Sequence, residues 1–176
     1  PVSVRKVSRP RVQLNQGDRF VYQKTVEQSL GAEPGSPLAR VWEKLETRFS
    51  IGVAEVGDDY YLLEVLFSNV RYQSELGERR IVFDSQSSGD VPPEALPYRG
   101  LLENGFIIVM GDDNRIRDIQ GYAEFLQRCY RDFPPSMQWE LIQKMGGYAE
   151  TPAARVAAAM SFLDESFALL PYGELV

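Results

Sequence analysis

The sequence predicts an α+β fold: a long, curved antiparallel β-sheet, half-barrel-like, followed by three α-helices packed on it. Three observations carry this expectation. Hydrophobic residues alternate with period two from about residue 20 to residue 119, then switch to a helical period near 3.6. The first part is punctuated by the turn sequences Gly57-Asp58-Asp59 and Gly111-Asp112-Asp113-Asn114, which fold strands back on themselves. Strands come first and helices afterwards, the order of a sheet with helices segregated to one face or end.

Residues 1–10 are basic and lack a core pattern, which predicts a loose lead-in; residues 11–176 form a single α+β domain. Val12 and Leu14 suggest a short strand before the turn Asn15-Gln16-Gly17-Asp18. Phe20, Tyr22 and Val26 share one face of the next strand, with Gln23, Thr25 and Glu27 on the other. Gly31 to Pro37, with two glycines and two prolines, reads as a loop. Trp42 to Val56 is a long strand in which Leu45, Thr47, Phe49, Ile51 and Val53 alternate with Glu46, Arg48, Ser50 and Gly52. The chain returns as Tyr60 to Tyr72, with Leu62, Leu66 and Val70 on one face and Leu63, Val65 and Phe67 on the other, so both faces of this strand are expected to be covered.

Arg79 to Asp84 is a further strand, and the Ser/Gly/Pro-rich stretch Ser85 to Pro93 a loop. Glu94 to Asn104 predicts a short helix burying Leu96, Leu101 and Leu102. Phe106 to Met110 and Arg115 to Ile119 form a hairpin. Tyr122, Phe125, Leu126, Cys129, Tyr130 and Phe133 then mark one face of a helix that runs to Pro134-Pro135. A second helix runs from Ser136 to Met145, with Met137, Leu141, Ile142 and Met145 inward. Thr151-Pro152 opens a third, threonine as N-cap and proline at the first helical position, with the stripe Val156, Ala159, Met160, Leu163 and Phe167 and a stop at Pro171.

Composition excludes more chemistry than it suggests. The chain holds no histidine, which removes the commonest general base and metal ligand. Its single cysteine, Cys129, lies on an apolar helical stripe and is expected to be a small buried hydrophobe with a raised pKa. One cysteine allows neither an internal disulfide nor a thiolate zinc cluster. The carboxylate pairs Asp58-Asp59 and Asp112-Asp113 sit in hairpin turns, where adjacent side chains diverge and stay solvated, so turn chemistry explains them. There is no Gly-x-Ser-x-Gly nucleophile elbow and no phosphate loop. No catalytic residue, cofactor or metal ligand is therefore assigned. The net charge of −6 argues against a nucleic-acid partner, and no apolar run is long enough to span a bilayer. The tyrosines Tyr60, Tyr61, Tyr72, Tyr98, Tyr122, Tyr130 and Tyr148 either fill the core between sheet and helices or line a surface for an apolar or amphipathic ligand.

Four points along the chain carry a resemblance. Leu14-Asn15-Gln16-Gly17-Asp18-Arg19-Phe20-Val21-Tyr22 resembles the opening of an uncharacterised family of bacterial envelope proteins, the DUF6263 family, many of them predicted lipoproteins. Ile81-Val82-Phe83-Asp84-Ser85 is similar to that family's strand closing on aspartate and serine. Gly105 to Ile119 resembles its hairpin, and Phe167-Ala168-Leu169-Leu170-Pro171 its helix exit into a second half. The resemblance implies no known activity and no catalytic residues. It implies a periplasmic or extracellular location, lipid-anchored through a segment preceding this sequence, and a longer protein of which this is the N-terminal part, with more strands after Val176. The half-open, helix-filled barrels of lipoprotein carriers offer an architectural analogy.

These readings converge on a non-enzymatic bacterial cell-envelope domain that binds an apolar small molecule, a lipid or another envelope protein. The alternative is a purely structural or assembly module of a larger lipoprotein; an enzyme ranks below both.

Overall fold

The computed structural model describes residues 13–30 and 41–167. The expected N-terminal lead-in, a strand beginning at Val12, the Gly31–Pro37 loop and the Pro171 stop all lie outside the described residues. Among the described residues six strands, β1 (Arg19–Leu30), β2 (Val41–Val56), β3 (Tyr60–Leu76), β4 (Arg79–Asp84), β5 (Gly105–Gly111) and β6 (Ile116–Gln120), form one antiparallel sheet that does not close. The described residues also form four α-helices: α1 (Leu96–Arg99), α2 (Tyr122–Cys129), α3 (Pro135–Lys144) and α4 (Pro152–Phe167). The α+β class is as the sequence predicts.

Strand β3 organises the sheet. Along one edge it pairs with β2 over nearly its whole length. Along the other it is shared, Tyr60–Leu66 pairing with β5 and Arg71–Leu76 with β4. The short interval between them is not left bare. Asn104 accepts from the Phe67 amide through its backbone carbonyl at 3.0 Å, and Glu103 donates its own amide to the Phe67 carbonyl at 2.9 Å. Ser85 donates its amide to the Val70 carbonyl at 2.9 Å, while its Oγ accepts from the Val70 amide at 3.0 Å. Backbone groups inside a packed sheet need such partners, and two loops supply them.

Two bulges interrupt the β2–β3 ladder, one leaving Ser68 and the other Ala54 without a register partner. The bulge at Ser68 corrects the facial reading of this strand. One extra residue exchanges the two faces, so Leu63, Val65 and Phe67 point inward before it and Val70, Tyr72 and Ser74 after it. Val70 is thus a core residue, while Leu62 and Leu66 are half-buried on the opposite face. At the other bulge the N-terminal turn clamps on: Gly17 donates its amide to the Val53 carbonyl, and Val53 donates its own to the Asp18 carbonyl. Leu14, the one described residue of the expected Val12–Leu14 pair, packs partly against the core from this turn and lies in no strand.

The core lies between the inward face of the sheet and helices α2 and α4. Phe49, Ile51 and Val53 of β2, Val65 and Phe67 of β3, and Ile108 of β5 meet Tyr122, Phe125 and Leu126 of α2 and Ala159 and Leu163 of α4. Phe125 stands at its centre, with ring centroids of Phe67, Phe106 and Phe162 at 5.8, 5.2 and 5.3 Å.

The helices differ from expectation mainly in length. In place of one helix over Glu94–Asn104 there is a 3-10 turn (Pro93–Ala95), the single-turn α1 and a run of turns; Ala95 and Leu101 are buried, Leu96 and Leu102 only half-buried. Helix α2 stops at Cys129, so Tyr130 and Phe133 belong to the following turns. In α3 only Ile142 is fully buried, and Met137, expected inward, is exposed together with Trp139. The α4 N-cap is as predicted: Thr151 Oγ1 accepts from the Ala154 amide at 3.2 Å.

Helix α4 is fastened to β6 by Arg155, whose Nε and Nη2 each lie 2.9 Å from an oxygen of Asp118. Asp118 Oδ1 also accepts from the Ile119 amide at 2.8 Å. The Arg155 bonds, with help from that amide, hold the Asp118 carboxyl below its ordinary value. A depressed folded-state pKa contributes stability above the unfolded value of about 3.9 and loses it as pH falls through the folded value. Asp118→Asn is therefore expected to cost about 1 kcal/mol at pH 7 and to match the parent once both carboxyl forms are protonated. Thermal midpoints of the pair at pH 7 and near pH 2.5 check this; an equal gap at both pH values would contradict it.

Candidate functional site

Where the sheet and all four helices meet, the packing is incomplete and leaves an apolar cleft of about 380 Å³. Leu45 of β2, Tyr98 of α1, Leu126 and Cys129 of α2, and Phe162 of α4 line it. Tyr130, Phe133, Met137, Leu141 and Met145 add to the wall, as do Pro97 and Leu101. The volume falls in the range of about 300–1,000 Å³ typical of small-molecule sites. The stop of α2 at Cys129 shapes this wall, because it turns Tyr130 and Phe133 off the helical stripe and places them on the cleft.

Polar groups gather at one side. Tyr98 stacks on Tyr72 with ring centroids 4.5 Å apart. Tyr72 donates its hydroxyl to Glu43 Oε1 at 2.7 Å, and Gln28 Nε2 donates to Glu43 Oε2 at 2.6 Å. Strand register explains the cluster. Gln28 and Glu43 are direct partners across β1 and β2, on the face that also carries Leu45. Burial, reinforced by the hydrogen bond to Glu43, pushes the Tyr72 hydroxyl up to about 12. Tyr98 is raised by burial and by the Glu43 charge, and Tyr130 by burial. All three phenols are therefore neutral hydrogen-bonding groups at physiological pH. The tyrosines named from sequence do not share one environment, and Tyr60 and Tyr61, after the β2–β3 turn, are half-buried. Tyr72 and Tyr122 are core residues, Tyr98 and Tyr130 line the cleft, and Tyr148 is exposed.

Of the remaining sequence candidates, Cys129 lies in the cleft wall and the acidic turns lie away from it. Cys129 is buried, and burial pushes its thiol up to about 12, so no thiolate nucleophile exists at neutral pH. The acidic turns are brought together in a way that spacing did not reveal. The Asp112 amide donates to the Asp59 carbonyl at 3.0 Å, and Arg117 reaches Asp59 at 2.8 Å and Asp112 at 3.4 Å. One arginine thus ties the β2–β3 and β5–β6 turns at one end of the sheet, and neither turn contributes a residue to the cleft. Among the described residues no cluster of three or more aspartate, glutamate or cysteine side chains is placed to hold a metal, and no helix is long and apolar enough to cross a membrane.

Two polar residues near the cleft but outside its lining were missed from sequence: Glu43, which alternation placed among ordinary strand residues, and Asn104, where the predicted helix ends. Asn104 is buried and fully used. Its Nδ2 donates to the carbonyls of Gly100 and Phe125 at 2.9 and 3.0 Å, and its Oδ1 accepts from the Gly105 amide at 2.9 Å and from Arg128 Nε at 2.6 Å. It locks α1, β5 and α2 together around the cleft.

The fold and site define an open antiparallel sheet, capped by helices, with an apolar cleft between the two layers. The chain matches no family model, no curated protein and no solved structure.

Proposed function

We propose that this domain binds an apolar or amphipathic small molecule in the cleft between sheet and helices, and that it does so as a non-enzymatic part of the bacterial cell envelope. The observation that carries the binding reading is the cleft itself: apolar walls, with neutral tyrosine hydroxyls at Tyr98 and Tyr130 to orient a polar end. The envelope assignment rests on the four-point resemblance in sequence. Native mass spectrometry of purified protein is expected to show bound lipid or a similar apolar molecule. Leu141→Trp, at the half-buried rim of the cleft, is expected to fill it and reduce that occupancy at least tenfold without loss of folded structure. Ligand-free parent protein that also fails to take up a fluorescent fatty acid would sink the binding reading, and recovery of the full-length gene product only in the cytosolic fraction would sink the envelope reading.

One observation favours an assembly module instead. Met137, Trp139 and Tyr148 expose 45%, 58% and 45% of their surface on α3 and the turn after it. Large apolar side chains left in water are a common mark of a protein contact.

A further inference from the structure

A second cleft, of about 380 Å³, opens on the other side of the wall made by α1 and α2. Neighbouring residues of the same segments face the two spaces: Leu101 and Cys129 line the apolar cleft, Gly100 and Arg128 the second. Its character is opposite. Arg99, Arg128 and Arg131 line it together with Ser85 and Ser87 of the loop after β4. In a chain of net charge −6, three guanidinium groups on one cleft are a local reversal of sign.

We propose that this cleft binds a compact oxyanion, a phosphate or sulfate group either free or carried as a headgroup. Arg128 is the anchor. Asn104 Oδ1 holds its Nε at 2.6 Å and the Gly105 carbonyl holds its Nη2 at 3.0 Å. Its Nη1 makes no hydrogen bond among the described residues. A guanidinium fixed in this way binds with little further loss of side-chain freedom. Arg99 and Arg131 share one loose counter-ion, Asp132, at 3.4 and 3.9 Å, and are 41% and 60% exposed. These long, solvated contacts are exchanged at small cost for a bidentate oxyanion contact. Among the described residues Glu103 is the one carboxylate lining the cleft, so the arginines outnumber it three to one, and with Asp132 counted these groups keep a net positive charge.

The test is calorimetric titration at low ionic strength with inorganic phosphate and with sulfate, and co-sedimentation with phosphatidylglycerol or phosphatidylcholine vesicles. Arg99→Gln/Arg131→Gln, which alters only exposed side chains, is run beside the parent, with circular dichroism to verify the fold. Binding of inorganic phosphate or sulfate that weakens about tenfold in the double variant and fades with salt identifies a free oxyanion site. Binding of phosphatidylglycerol vesicles alone, with the same loss in the variant, identifies a lipid headgroup as the source. Parent protein that binds none of the probes, or a variant that binds them equally well, overturns the proposal. Leu141→Trp should leave this binding unchanged, since the two clefts are separate.

Discussion

Phe125→Ala is expected to lower the free energy of unfolding by about 3–5 kcal/mol, the usual cost of removing a fully buried aromatic side chain. The ring has no exposed surface. It stacks on Phe67 of β3, meets Phe106 of β5 edge-on, and meets Phe162 of α4 edge-on. It also stacks on Tyr122 of its own helix, with centroids 6.0 Å apart. These partners come from two strands and two helices, so no single rearrangement can close the space. The loss combines apolar burial with aromatic contacts worth about 0.5–1.5 kcal/mol each beyond area. Since folded domains hold only about 5–15 kcal/mol in total, the variant should populate unfolded chains at modest temperature. Urea denaturation checks this, and a shift below about 1 kcal/mol would show that the aromatic cluster is not the centre of the core. Phe162 also lines the apolar cleft, so the same substitution should enlarge that space and loosen its selectivity.

What could be read from sequence was the part governed by local periodicity. The alternation in β2, the hairpin turns at Gly57-Asp58-Asp59 and Gly111-Asp112-Asp113, and the Thr151 cap each depend on residues close in the chain, and each appears where expected. What was not legible depends on long-range geometry. The bulge at Ser68 leaves the alternation on either side intact but changes which parity faces inward, so Val70 was assigned to the wrong face. The early end of α2 follows the same logic. The apolar spacing of Tyr130 and Phe133 continues a helical pattern, but these side chains serve the cleft wall and do not extend the helix. Glu43 looks like any polar residue in an alternating strand; only the pairing of β1 with β2 and β2 with β3 sets it beside Gln28 and Tyr72. The three arginines of the second cleft lie on two segments separated by nearly 30 residues, and no motif joins them.

Asn104→Ala is the second substitution with a large expected effect, about 3 kcal/mol or more, and it reaches further than stability. Alanine would strand the Gly100 and Phe125 carbonyls, the Gly105 amide and the Arg128 Nε in a joint that is buried except where it borders the arginine-lined cleft. Each stranded group costs about 1–3 kcal/mol, softened wherever water can enter. The backbone around this hub has little freedom to adjust. A β-carbon at Gly105 would fall 1.8 Å from the Val65 carbonyl oxygen, and one at Gly100 would fall 2.4 Å from Cys129 Cα. The chain passes too closely at Gly100 and Gly105 for any side chain, so the backbone cannot shift readily to repair the loss. Arg128 depends on Asn104 in turn. If the hub acts as one unit, Asn104→Ala/Arg128→Ala should cost less than the sum of the single substitutions by about 0.5–3 kcal/mol, as read from urea midpoints. Strict additivity would mean that the two side chains meet without supporting each other. Loss of Asn104 should also free the Arg128 guanidinium to move, so whatever folded Asn104→Ala protein remains should bind oxyanions more weakly than the parent although all three cleft arginines are still present.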